Sequence, residues 1–355
     1  MSDVAVSDEK AKKKQMRVLY LHCTANMMVS MFTFMTRAEV LLPLVGGSFD
    51  RVAVYMSGWT SATALLEFLV NPTIGQLSDY YGRRMFLLLA PYANLILKSW
   101  VILNPSIVSL TVERMICDGL RTLAGSTMGM AMMSDLVDRS QLAQAGANMS
   151  VCMGIGLLIS PVVSSFLSPI GTYKAALVMA AVQLAIDTMM LKESLPADQR
   201  KTTWGITNPF AFTRLFTTKG KHGTQLRKLS TVTMLHNMID IKVTADPILI
   251  FQQATLGWTR SFTQRFQGVM GLALLFQGKV TKKSLSTFGI YGHTTFTHSV
   301  QVLRAALLGF FPYPWMMWLN GVMGWITGSK EHAVKQLLTG SAVDAGFGAP
   351  ETMHD

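Results

Sequence analysis

From Val18 onward the chain alternates long apolar runs with short polar, turn-rich connections. A helix needs about 20 mostly apolar residues to cross hydrocarbon, and by that measure the pattern predicts about ten spans. They cover 18–36, 54–74, 85–103, 107–133, 149–167, 173–191, 230–251, 262–276, 288–308 and 311–327. The ninth, with "GHTTFTHSVQVLR", is polar for a helix that faces lipid. The longest connection is basic and carries "NPF" and "TTKGKHGT", the turn-rich composition of a linker. The predicted organisation is an N-terminal tail at 1–17, a six-helix half at 18–192, a linker at 193–229 and a shorter half of about four helices at 230–355. A faint internal repeat runs through it, since "GQLSDYYGRR" follows the second span and "FQGKVTKKSLSTFG" the eighth.

Composition agrees with a polytopic all-α membrane protein. Half of the 355 residues are apolar and only 14% are charged, against about a quarter in soluble domains, and the mean hydropathy is +0.34. The formal charge of +11 does not read as a nucleic-acid surface, because the basic residues sit between apolar runs and gather on no one arm or face. Their distribution sets an expected orientation. With the N-terminus inside, 21 of the 31 lysines and arginines fall in inside connections, and the outside set holds Arg37, Arg51, Lys98, Lys174 and Arg260. The polar start, with Asp3, Asp8 and Glu9, is unlike a secretory signal or a transit peptide. Cys23, Cys117 and Cys152 lie in apolar runs without zinc or disulfide spacing. No phosphate-cradling loop argues for ATP-driven transport, and no metal or cofactor is implied. His293 and His298 would make a single histidine box, too little for a di-iron enzyme.

The stretch "GQLSDYYGRR" resembles the signature loop between the second and third helices of the major facilitator superfamily, Gly-x-Leu-x-Asp-x-x-Gly-Arg-Arg/Lys. Gly75, Leu77, Asp79, Gly82, Arg83 and Arg84 occupy its positions. "GIGLLISPVVSSFL", with Gly154, Gly156 and Pro161, is similar to the helix-packing segment of the drug-proton antiporters, with serines in place of the last glycines. "LKESLP" and "PWMMW" resemble the exit from the sixth helix and the entry to the tenth in the tetracycline-resistance and hippocampus abundant transcript-like branch. The resemblance implies a bundle of twelve helices, of which about ten are present, and "KQLLTGSAVDAGFGAP" would begin the eleventh. It also implies that Asp79 latches near that eleventh helix in one transport state.

Charges within the spans are the candidate chemistry, since an ionised side chain at mid-bilayer costs about 2.5–3.5 kcal/mol and calls for a partner, a cavity or a role. In "ERMICDGLR" Arg114, Asp118 and Arg121 share one helical face, fit to bind an anionic or zwitterionic solute, relay a proton or hold helices together. "DIKVTADP" offers Asp240 as a proton carrier, Lys242 and Asp246 as a self-neutralising pair, and Pro247 as a helix break. Glu67 is a further proton candidate, or a partner for Arg114 or Arg121. These readings describe an integral membrane secondary transporter, not an enzyme. Its partners would be a small organic solute, protons and the bilayer, with no nucleic acid. The alternative is a transport-dead scaffold or receptor, or a truncated gene product, of the same fold.

Overall fold

In hydrocarbon a backbone satisfies its own N–H and C=O groups only as a helix or a closed barrel, and every apolar run of this chain becomes helix. The computed structural model describes residues 2–34, 36–137, 142–206, 208–217, 220–239, 241–327, 334, 337–338 and 341. In chain order the helices are α1 (Ser2–Phe34), α2 (Arg37–Leu44), α3 (Phe49–Tyr81), α4 (Arg83–Leu103), α5 (Ile107–Thr122), α6 (Gly129–Leu136), α7 (Leu142–Ser164), α8 (Pro169–Met190), α9 (Arg214–Thr217), α10 (Gly220–Ile239), α11 (Ile241–Ala254), α12 (Arg260–Phe310) and α13 (Pro314–Thr327). A π-helical turn, Leu123–Met128, joins α5 to α6, so the fourth apolar run is one long rod with a bulge.

Helix boundaries depart from the hydropathy estimate where polar residues remain good helix formers. Nothing in "QLSDYY" breaks a helix, so α3 runs through Gly75 to Tyr81 and the expected hairpin shrinks to Gly82 alone, at φ +102°. The same happens later in the chain. α12 continues through "GKVTKKSLSTF" and bends only at Gly289, at φ +65°. The two segments of the internal repeat thus each end in a glycine that alone makes the break, because an L-residue is strained at positive φ.

Contacts divide the chain into two units, Met1–Pro209 with Asp246–Leu275, and Phe210–Ala245 with Phe276–Asp355. In the first, α1 packs on α7 and α8, α4 on α8 and α5, and α3 on α5. These helices are apolar outside and bury polar and charged groups among apolar clusters inside. On α4 the outward face carries Ile96 and Leu103, 68% and 83% exposed, while the opposite face buries Asn94 and Lys98 at 2% and 0%. Among the described residues three stretches are long and apolar enough to cross a bilayer by themselves, Lys10–Leu44, Arg83–Leu103 and Pro169–Met190. α5, 16 residues long, is shorter than that measure and buries Glu113, Arg114 and Asp118 among its neighbours.

α7 is held by close backbone approach on two sides. A Cβ at Gly156 would lie 2.9 Å from Met27 Cβ of α1, and one at Gly271 of α12 would lie 2.8 Å from Leu158 N of α7. Ser160 adds a hydrogen bond to the Met28 carbonyl at 3.1 Å, and Gly154 and Pro161 are buried in the same helix. Without a hydrophobic drive between helices in lipid, such small-residue crossings supply the dispersion contact.

In the second unit the polar ninth run finds its reason. His293, Thr297 and Gln301, four apart, are buried, whereas Phe296, Val302 and Leu303 face outward. Arg304 donates to Asn320 Oδ1 at 2.7 Å and so ties α12 to α13.

Substituting Gly156 or Gly271 by leucine should destabilise the detergent-purified protein by about 1–3 kcal/mol through overpacking. Gly75→Ala meets nothing within 4 Å and should raise stability by up to about 1 kcal/mol. Thermal melts of the three variants check both signs.

Candidate functional site

Two polar assemblies lie inside the first unit. The first surrounds the loop motif. α4 begins without a side-chain cap, because its N-cap is Gly82, and the orphan amides are met instead by Glu193 in the segment after α8. Its carboxylate accepts from Arg83 N at 2.9 Å and Arg84 N at 3.2 Å, and the anion suits the positive end of the helix dipole. A Cβ at Gly82 would overlap that carboxylate, so the glycine serves both the backbone turn and the approach of Glu193. Arg83 reaches Asp135 of α6 at 2.6 Å, and Ser194 donates to the same carboxylate at 2.8 Å. Arg84 donates to the Thr188 carbonyl at 2.8 Å. Asp79 pairs with Lys201 at 2.8 Å and with Arg83 at 3.4 Å, and Lys201 N donates to the Asp79 carbonyl. Leu77 packs on the apolar core of Leu19, Phe86 and Leu87. The motif is therefore clamped to α6 and to 193–201.

The second assembly is a wholly buried ion network. Arg37, at the start of α2, donates its Nε and Nη2 to Glu113 at 2.7 and 3.0 Å and its Nη1 and Nη2 to Asp118 at 3.2 and 2.9 Å. Lys98 of α4 donates to Glu113 at 2.7 Å and to Thr33 of α1 at 3.0 Å, and stands over the Tyr173 ring. Arg114 pairs with Asp118 at 3.0 Å and donates to Thr60 of α3 at 2.9 Å, its guanidinium lying over the Phe34 ring. Thr122 donates to Glu67 of α3 at 2.8 Å, and Arg121 is near enough to act electrostatically on Asp118. Helices α1 to α5 and α8 all contribute a group. A third, smaller contact joins Arg260 to Glu39 at 2.5 Å, with Arg260 also donating to the Leu167 carbonyl and to Thr172.

The structure thus brings Glu67, Arg114, Asp118 and Arg121 into one neighbourhood. Asp240 lies outside the described residues, as do the side chains of Lys242 and Asp246. Three residues central to the network were assigned otherwise by the sequence pattern. Arg37 and Lys98 were counted among outside connections, yet both are fully buried, because carboxylates on α5 neutralise them. Glu113 opens the stretch "ERMICDGLR" and carries no mark of its own in the sequence. Lys98 was the readable signal, a lysine in the middle of an apolar run with no acid on its own helix.

α1 adds a feature that periodicity alone reveals once sought. His22, Asn26, Ser30 and Thr33 are all buried, and their spacing of four, four and three places them on one face that leads to Arg37. His22 meets Asp187 of α8 at 2.7 Å.

A bundle of amphipathic helices with charges inside and apolar residues outside defines a polytopic membrane protein, and its architecture is the major facilitator fold. The chain superposes on the crystal structure of the human organic anion transporter MFSD10 (TETRAN) with a TM-score of 0.72, over 96% of this chain and 87% of that one, at 17% identity. In sequence it is similar to tetracycline resistance protein, class C, of Escherichia coli, 26% identical over 271 residues that make up 75% of this chain and 67% of the relative. It is also similar to human hippocampus abundant transcript 1 protein, 23% identical over 308 residues, 83% of this chain and 61% of that protein. The chain spans about two thirds of the length of the curated relatives it matches. No protein-family model matches it.

Glu113→Gln removes the carboxylate that holds both Arg37 and Lys98, and breaking a buried pair costs about 3–5 kcal/mol. Lys174, exposed on α8, should be neutral to within about 0.5 kcal/mol when changed to Gln. Chemical or thermal unfolding in detergent should separate the two by that margin. Equal stabilities would mean that the network contributes nothing to the fold.

Proposed function

We propose that the chain is a secondary transporter that moves a small organic solute across a membrane by alternating access, driven by a proton gradient. The observation that carries the reading is the ion network of Arg37, Lys98, Glu113, Arg114 and Asp118, buried in the interior of a bundle that shares its fold with transporters. A structural pin needs one ion pair, whereas five ionised groups with Glu67 and Arg121 at their edge give a site that can exchange partners as a charged or polar solute enters. Glu67, Arg114, Asp118 and Arg121 are assigned to the solute and proton pathway, with Asp240, Lys242 and Asp246 as its counterparts in the later spans. The name of the E. coli relative makes tetracyclines the first solutes to try, beside cationic drugs and sugars.

The lysine and arginine asymmetry supports a cytoplasmic N-terminus, which puts Gly82, Glu193 and the clamp around them on the cytoplasmic side. Residues 18–192 are then the N-terminal half, 193–229 the linker and 230–355 part of the second half. Asp79, joined to Lys201 and Arg83, acts as a latch that opens and closes with the transport cycle, as ion pairs at half-exposed positions readily do.

In vesicles containing the chain, a pH gradient should drive solute accumulation, and Glu67→Gln should abolish the dependence on that gradient. Absence of gradient-driven flux for every class tested, from protein that melts cooperatively, would turn the reading toward a scaffold of the same fold. Asp79→Asn should slow uptake by about tenfold or more while expression stays at the native level, a change that corresponds to about 1.4 kcal/mol in the barrier. Unchanged uptake would remove the latch.

A further inference from the structure

We propose that His22 and Asp187 form a second site on the proton pathway, beside Glu67, that binds and releases a coupling proton, a role that rests on the proton-driven reading above. Both side chains are fully buried, and His22 Nδ1 stands 2.7 Å from Asp187 Oδ2. Gln183, one turn earlier on α8, places its amide nitrogen 3.5 Å from the same ring nitrogen. Three further atoms of this trio, His22 Nε2, Asp187 Oδ1 and Gln183 Oε1, are buried with no hydrogen-bond partner among the described residues. A pair kept only to join α1 to α8 would leave fewer buried polar atoms unsatisfied, since each costs about 1–3 kcal/mol. The arrangement instead suits a group that changes charge. With Nδ1–H directed at the carboxylate, Nε2 is the open position, and one proton there turns a site of net charge −1 into a neutral imidazolium–carboxylate pair.

The surroundings favour one exchangeable charge over a fixed ion pair. Cys23, next to His22 on α1, faces Cys152 of α7 and Asp187 of α8. On α4 Arg84 donates through Nη2 to the Thr188 carbonyl, with its Nε buried and without a hydrogen-bond partner, and Asp135 of α6 is held by Arg83. Asp187 is thus the one carboxylate in direct contact with His22 among the described residues. The site is also connected. Asn26, Ser30 and Thr33 extend from His22 along the buried face of α1, and Thr33 accepts from Lys98. Eleven residues of helix separate the two ends, about 16 Å at 1.5 Å per residue. A stripe of buried polar side chains therefore lies along α1 between the proton site and the ion network, with Ser30 and Thr33 bonded to backbone carbonyls of their own helix.

The test uses the full chain and has two arms. In the first, protein labelled with 15N-histidine is followed by NMR in detergent from about pH 5 to about pH 9, the span over which imidazole changes charge. The resonance lost in His22→Gln belongs to His22. It should change with pH over that range, and the change should be altered in Asp187→Asn. A His22 resonance that stays fixed over that range overturns the proposal. In the second arm, vesicles are loaded with tetracycline. His22→Gln and Asp187→Asn should keep tetracycline exchange without a gradient and lose its accumulation against a pH gradient. Accumulation retained by both variants also overturns the proposal. If the native chain moves no tetracycline in either mode, the transport reading fails for that solute, and the His22 resonance alone decides whether the pair is a proton site.

Discussion

An ionised group inside a membrane protein must be met by opposite charge, because neither lipid nor the apolar interior solvates it. Glu113 is where that constraint is sharpest here. Its two oxygens take Arg37 from α2 and Lys98 from α4 at 2.7 Å each, and the second acid, Asp118 one turn and a residue further on, takes Arg37 again together with Arg114. Removing any of these leaves a buried charge without enough partners, so the register of α1, α2, α4 and α5 against one another is dictated by charge before it is refined by packing. Dispersion does the refining. Gly156 lets α7 meet the backbone of α1, and Gly271 does the same for α12 on the other side of α7.

This division of labour follows from the solvent. In water, apolar burial would hold the helices and the charges would lie outside. In this chain Ile96 and Leu103 lie outside and Lys98 inside on the same helix. The interior consequently combines apolar clusters with a few strong, directional ion pairs.

Much of this was legible from the residues in order. The apolar runs, the loop motif from Gly75 to Arg84 and the shared face of Arg114, Asp118 and Arg121 could each be read, because each is written within one helix or one turn. What escaped was whatever joins distant parts of the chain. Periodicity says which face of α5 is charged and not that Arg37, far away in sequence, will lie on it. Glu193 reads as a linker residue until Gly82 is seen to leave the start of α4 uncapped. Gly75 and Gly82 look equivalent in the motif, yet one is ordinary helix and the other carries a positive φ and a carboxylate against its missing side chain. The polar stripe of α1 is legible in the same way as the charged face of α5, as polar residues at helical spacing within an apolar run.

The two assemblies in the first unit differ in how readily they can rearrange, and that difference gives the fold a direction of action. Asp79 and Lys201 are 30% and 55% exposed, so water competes for their pairing and its rupture is cheap. Arg37 and Glu113 are shut away from solvent, so they exchange partners only when another charge arrives to take their place. The half-exposed pair and the buried network thus lie at opposite extremes of solvent access within one unit. α1 belongs to both sides of that logic. It presents Thr33 to the core, packs against the glycine of α7 and carries His22 to Asp187 of α8, so a change in charge at His22 acts on the helix that also touches the network.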